Sequence, residues 1–183
     1  MVMPCCRHQW FRQRCCCQNN MQMIIKQSKM STRAIKFLTR QTTAFEVIKY
    51  DHDRKGAVYA AQTVGFPLEC TIKTLVVTLG NKQHVLALMP GDRELDLKRM
   101  ARACKAKRTE MALPATAERL TGYKMGGISP FGLTTPLPSV MDSRLLSYDR
   151  VIINGGQRGI MLKMSPKEIT RLLKSEIADI ARL

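Results

Sequence analysis

Acidic residues are scarce in this chain. Fourteen Asp and Glu stand against 30 Lys and Arg over 183 residues, for a formal net charge of +16. That imbalance argues against a basic partner and for a polyanionic one, nucleic acid before a membrane surface. No apolar run approaches the roughly 18 residues that a membrane span needs. The usual marks of catalysis are missing as well. There is no phosphate-binding G-x-x-x-x-G-K-[ST], no dinucleotide fingerprint, no H-E-x-x-H helix and no G-x-S-x-G turn. Histidine occurs three times. His8 is near the start, His52 sits between Asp51 and Asp53 in a polar turn, and His84 alternates with Leu86 and Leu88 on a strand face. None has a second histidine nearby, so His52 reads as part of a solvated turn and His84 as a packed residue.

Cysteine is abundant but wrongly spaced for an ordinary zinc site. Five of the seven (Cys5, Cys6, Cys15, Cys16, Cys17) crowd the first seventeen residues without C-x₂-C pairing. Residues 1–30 also contain no acid, and they fit neither a secretory signal nor a transit peptide. They read as a leader outside the domain, with Met30 a natural alternative start. Only five basic residues lie there, so the remaining 25 still exceed the acids by 11. The positive charge belongs to residues 31–183, a length suited to one domain.

Within that domain, Thr32 is placed to cap a short helix and Phe45–Tyr50 reads as a strand. The spacing predicts a helix over Ala57–Val64, closed by Gly65 and Pro67, then strands over Thr71–Leu79 and Gln83–Met89 joined at Gly80-Asn81. Lys73 interrupts the first of these apolar strands. It is either a solvent-facing edge residue or a point charge aimed into a pocket. Asp96 caps a helix with Leu97, Met100, Ala101 and Cys104 on one stripe and Lys98, Arg99, Arg102 and Lys105 on the other. That basic face, continued by Lys107 and Arg108, could grip phosphates or simply be solvated. Cys104, on the apolar stripe, reads as a small core residue.

A short helix over Pro114–Leu120 leads into Thr121–Gly132, T-G-Y-K-M-G-G-I-S-P-F-G, where four glycines alternate with apolar residues. Such a stretch is either an ordered loop that presents backbone N–H groups to a ligand or a tight connection. Strands follow over Leu137–Met141, Arg150–Asn154 and Gly159–Met164. Ser165-Pro166-Lys167-Glu168 has the form of a capping box, opening a last helix with Ile169, Leu172, Leu173, Ile177 and Ile180 as its buried stripe. The mixture implies an α/β (α+β) domain with one mixed sheet.

Four strings, in this order, resemble one family: K-T-L-V-V (Lys73–Val77), L-D-L-K-R-M-A-R-A (Leu95–Ala103), the glycine stretch Thr121–Gly132 and N-G-G-Q-R-G (Asn154–Gly159). Over about residues 31–183 the chain resembles the YbaK/EbsC aminoacyl-tRNA deacylases, relatives of the editing domain of prolyl-tRNA synthetases. The resemblance implies a compact domain with a barrel-like sheet flanked by helices, in the cytoplasm, with no cofactor and no metal. It implies trans-editing of Cys-tRNA(Pro), extending to Cys-tRNA(Cys), with aminoacyl-tRNA as substrate and prolyl-tRNA synthetase as candidate partner. By position it makes Lys73, Gly126 and Gly127 catalytic. Tyr50, Thr74, Ile128, Ser129, Pro130 and Asp142 become substrate-binding, Ser129 the weakest of them; contact with the tRNA phosphates then falls to the basic face of Lys98, Arg99, Arg102 and Lys105. It also implies a mechanism needing no protein nucleophile, in which the cysteine thiol attacks its own ester and leaves as a thiolactone. Two alternatives stand beside it: editing of another residue such as alanine by water attack, and a non-enzymatic module that binds tRNA or a synthetase.

Overall fold

A computed structural model describes residues 31–51 and 56–183. The expected leader, and His52 and Asp53 of the polar turn, lie outside the described residues. The first half runs α1 (Arg33–Arg40), β1 (Glu46–Lys49), α2 (Ala57–Val64), β2 (Thr71–Leu79), β3 (His84–Pro90), β4 (Glu94–Leu95), α3 (Leu97–Ala103) and β5 (Thr109–Met111). The second half runs α4 (Pro114–Thr121), β6 (Ser139–Asp142), β7 (Val151–Asn154), β8 (Ile160–Met164), α5 (Pro166–Leu173), β9 (Glu176–Ala178) and β10 (Ala181–Arg182).

Eight strands form one mixed sheet in the order β1-β8-β7-β2-β3-β6-β9, with β5 also pairing β2; β4 and β10 form a separate pair. The β2–β7, β3–β6 and β6–β9 pairings are parallel and the others antiparallel. Nine residues long and rich in β-branched side chains, β2 touches three strands. Its neighbour β3 is buried from Val85 to Pro90, as a strand covered on both faces must be. On one face Leu38, Ile72, Leu88, Phe131, Met141, Ile153 and Ile169 pack together. Elsewhere Val77, Val85, Met100, Val140 and Ile180 form a second cluster, and Val76, Leu86, Leu120, Tyr123 and Ile128 a third. That third cluster anchors α4 and the glycine stretch to the sheet.

The capping residues behave as their chemistry requires at two helix starts. Thr32 Oγ1 accepts from Ile35 N at 3.2 Å, and Asp96 Oδ1 accepts from Lys98 N and Arg99 N at 2.9 and 3.0 Å. The C-terminal helix departs from expectation. Pro166 occupies the first turn, but the Ser165 side chain makes no capping bond and Glu168 pairs with Arg171 at 2.8 Å. The helix stops at Leu173, where Lys174 turns left-handed (φ 50°). Ile177 then lies on β9 and is exposed, while Ile180 is buried beside Met100. Helical spacing continues through both residues, but the parallel edge of β6 and a buried carboxylate capture the chain instead.

That carboxylate is Asp142, whose side chain is fully buried. Its Oδ2 accepts from Ile180 N at 3.0 Å and Ala181 N at 2.9 Å, and Oδ1 accepts from Arg144 N at 3.1 Å. Arg144 Nη1 lies 3.1 Å from both oxygens and also donates to Asp179 at 2.7 Å. Every lone pair is therefore engaged in tying β6 to the C-terminal segment, so the pocket-lining reading of Asp142 is corrected to a structural one. Asp142→Ala would strand three backbone donors and the arginine side chain. It should cost about 3–5 kcal/mol, the scale for breaking a buried ionic network, read as a lowered midpoint in urea unfolding. A midpoint within about 1 kcal/mol of the parent's would return Asp142 to the list of ligand contacts.

Candidate active site

The sheet parts along one edge of β2. Pairing with β7 covers Thr71 and Ile72, and pairing with β5 resumes only at Val77. Leu79 N donates toward β3, to Gln83 O at 2.7 Å, and Val76 O accepts from Ala112 N at 3.0 Å on the opposite side. Alternation along the strand thus turns the Thr74 backbone amide toward the side where no strand pairs with it.

A cavity of about 270 Å³ occupies this opening. Ile72, Lys73, Thr74 and Leu75 form one wall, Ala57 and Ala60 of α2 another, Asn154 and Met161 of the β7–β8 hairpin a third; Tyr50, Met125, Gly126 and Ile128 complete it. Small side chains on α2 leave the space, and the lining is mainly apolar. Among the described lining residues there is no His, Cys, Asp or Glu.

Two polar side chains are conspicuous there. Lys73 is half-buried and its Nζ donates to Arg93 O and, at 3.5 Å, to Gly91 O, in the turn that follows β3. An ammonium has three hydrogens, so one is left for a ligand. Burial pushes the Lys73 pKa down, opposed by the nearby carboxylates of Asp92 and Glu94. Thr74 Oγ1 is buried and has no hydrogen-bond partner among the described residues. A buried hydroxyl without a partner costs about 1–3 kcal/mol, which a ligand's polar group would relieve.

The fourth wall is the glycine stretch, held by three side chains. Glu118 Oε1 accepts from Met125 N at 2.9 Å, Arg158 donates through Nη2 and Nε to Met125 O at 2.8 and 3.2 Å, and Asn154 Nδ2 donates to Gly126 O at 3.3 Å. Gly126 has φ +83°, and a Cβ there would meet Arg158 Nε at 3.2 Å. Gly127 differs from its neighbour. Its N–H is spent on Lys124 O at 2.9 Å, and it packs against the Gln157–Arg158 backbone instead of the cavity. The paired-glycine donor reading is therefore corrected: Gly127 does not line the cavity, whereas Gly126 and Ile128 do, and their N–H groups make no hydrogen bond among the described residues.

Lys73, Tyr50, Thr74, Gly126 and Ile128 thus come together. Ser129 and Pro130 do not: both are buried behind the loop, and Ser129 Oγ accepts from Phe131 N at 3.4 Å. Met125, Asn154, Met161 and the two α2 alanines were not singled out by sequence reasoning, although Asn154 opens the N-G-G-Q-R-G string. The basic residues also separate. Lys98 and Arg102 line a surface groove with Lys107 and Arg108. Arg99 turns away to Asp179 at 2.6 Å and Asp96 at 3.5 Å, and Lys105, left-handed at φ 51°, lies outside the groove lining. The two described thiols do not contribute: burial raises the pKa of both Cys70 and Cys104, and neither lines the cavity. Among the described residues no three His, Cys, Asp or Glu converge as a metal site, and no helix is long and apolar enough to cross a membrane.

An ammonium, an unpartnered hydroxyl and backbone donors around a small apolar cavity can orient and polarise a carbonyl. Comparison with known proteins identifies the family. Residues 52–172 match the aminoacyl-tRNA editing domain. EbsC of Enterococcus faecalis, inferred to be a Cys-tRNA(Pro)/Cys-tRNA(Cys) deacylase, is 31% identical over 161 residues, covering 86% of this chain and 98% of that one. The multifunctional Ser/Thr-tRNA deacylase ProXp-y of Escherichia coli is 28% identical, covering 86% and 96%. A crystal structure of an inferred trans-editing enzyme for prolyl-tRNA synthetase superposes with TM-score 0.76 at 30% identity, over 84% of this chain and 99% of that one. On sequence, fold and site together, the chain belongs to the aminoacyl-tRNA editing domain family, as an aminoacyl-tRNA deacylase of the YbaK/EbsC type.

Proposed function

We propose that this deacylase removes cysteine from mischarged Cys-tRNA(Pro), and also acts on Cys-tRNA(Cys), using the substrate's own thiol as nucleophile. The observation that carries the reading is a cavity with no His, Cys, Asp or Glu among its described lining residues, yet with a positioned lysine and an unpartnered hydroxyl. In the proposed step the thiol sulfur bonds the ester carbonyl carbon, the bond to the ribose oxygen breaks, and the thiol proton passes to that oxygen. Water then opens the thiolactone to free cysteine. Holding sulfur near the carbonyl lowers the barrier by several kcal/mol, up to about 7–11 in ideal intramolecular cases. The Gly126 and Ile128 N–H groups and the third Lys73 hydrogen are the donors for the developing oxyanion, each on the scale of about 3–4 kcal/mol. Tyr50 and Thr74 hold the amino acid.

A second reading has its own support. The E. coli relative is named for Ser and Thr, and the free Thr74 Oγ1 could pair with a substrate hydroxyl as readily as with a thiol. In that case water is the nucleophile. Prolyl-tRNA synthetase is the proposed partner, since proline–tRNA ligases also match, one of them at 33% identity over 90 residues. The partner would supply the tRNA selectivity for which a 270 Å³ cavity has no room.

Three outcomes are expected. Lys73→Ala should lower kcat/KM for Cys-tRNA(Pro) about 100-fold or more, with an unchanged circular dichroism spectrum; near-parental turnover would remove Lys73 from the chemistry. Because burial depresses the Lys73 pKa, the active ammonium is lost as pH rises through a value below that of a free lysine. The pH–rate profile should therefore fall on its alkaline side earlier than ordinary lysine titration would allow, and a flat alkaline limb would contradict that role. Finally, Cys-tRNA(Pro) should be cleared far faster than Ser-, Thr- or Ala-tRNA(Pro). Similar rates for all four would establish water attack and the second reading.

A further inference from the structure

The glycine stretch has a cavity on each side. Gly126 lines the active-site cavity, whereas its neighbour Gly127 lines a second cleft of about 570 Å³ together with Arg33, Tyr123, Lys124, Gln157 and Arg158. Consecutive Cα atoms are about 3.8 Å apart, so the two spaces approach one another at this point of the loop. The first space is too small for more than an amino acid and its ester, since pockets for drug-sized ligands begin near 300 Å³. The second is about twice as large.

The cleft carries three cations and one acid, Glu118. Glu118 is committed inward, to Met125 N at 2.9 Å and Lys124 Nζ at 3.0 Å. Arg33 lies 4.6 Å over the Tyr123 ring and donates to Thr134 Oγ1 at 2.8 Å and to the carbonyl oxygens of Thr121 and Gly122. Arg158 spends Nε and Nη2 on Met125 O, leaving the rest of its guanidinium fork. Lys124 is almost fully exposed (88%), and the exposed Gln157 side chain has no hydrogen-bond partner among the described residues. Such a set matches phosphodiester oxygens and the polar edge of an unpaired base.

The α3 groove is the competing basic surface, but it lies too far away for the nucleotides nearest the ester. It adjoins Thr109, which pairs with Leu79, six residues along β2 from Lys73. That is about 20 Å of strand.

We propose that this cleft binds the unpaired 3′-terminal nucleotides of the tRNA whose aminoacyl end enters the adjoining cavity. The glycine loop then acts as a partition, with the ester on the Gly126 side and RNA phosphates on the Gly127 side. The α3 groove takes phosphates further along the acceptor stem. This rests on the deacylase reading above and adds the place where the RNA end lies.

The test compares two minimal substrates, the cysteinyl ester of adenosine and that of the trinucleotide CCA, in the full chain. For the parent enzyme kcat/KM should be at least tenfold higher for the trinucleotide ester, through KM, with the advantage shrinking as salt rises. In Lys124→Ala/Gln157→Glu that advantage should fall below threefold, and in Lys167→Glu, an exposed charge change on α5, it should match the parent. Calorimetric titration with uncharged CCA should show binding weakened at least threefold in the cleft variant. This arm needs no turnover, so it separates the two claims: if neither ester is cut but CCA binding still weakens in the cleft variant, the deacylase reading fails and the RNA site stands. An undiminished advantage in the cleft variant, or a loss confined to Lys98→Glu, overturns the proposal.

Discussion

The parting of the sheet along one edge of β2 is the constraint on which the site depends. A strand inside a sheet has its amides satisfied on both sides, and an unsatisfied one is costly. Here β2 exchanges one neighbour, β7, for another, β5, and the four residues between them (Lys73, Thr74, Leu75, Val76) are left without a strand partner on that side. An opening of this kind survives because β3 pairs β2 from Ile72 to Thr78 along the other edge. The rigid half of the strand thus positions the half that is free to meet a ligand. Lys73 is kept in place in the same way, since carbonyls of the turn after β3 hold its ammonium.

Around that opening the protein spends side chains on orientation. Glu118, Asn154 and Arg158 each bind a backbone group of the glycine loop, and none of the three needs to touch a reacting atom to matter. The loop is consequently a fixed wall, with Gly126 lining one cavity and Gly127 the other. This suits a reaction in which the substrate brings its nucleophile, because the barrier is then lowered by placement and by preorganised donors. Under the proposed mechanism the cavity needs no histidine or cysteine of its own, and none is among its described lining residues.

Much of the architecture was legible in the sequence, because long elements with clear periodicity report their own burial. β2, β3, α1 and α3 lie within a residue or two of where their patterns place them. The C-terminal helix was overrun because Ile177 and Ile180 keep helical spacing, although the N–H groups near Ile180 are held by Asp142, 38 residues away. Distance in sequence likewise hid the pairing of Arg99 with Asp179, which removes one cation from the basic face. At the site, Lys73, Thr74, Tyr50, Gly126 and Ile128 were nameable from residue type and resemblance. Gly126 and Gly127, identical in type and adjacent, face opposite cavities. That difference follows from φ at Gly126 and a turn bond at Gly127, neither of which composition encodes.

Under the proposed function the opening beside β2 holds the aminoacyl group. A crystal structure with a non-hydrolysable analogue, cysteine joined by an amide to 3′-amino-3′-deoxyadenosine, tests it directly. The expected result places the aminoacyl carbonyl within hydrogen-bond distance of Lys73 Nζ and of the Gly126 or Ile128 N–H, with the side chain beside Thr74. An analogue seated in the α3 groove, or bound without contact to Lys73, would contradict the account.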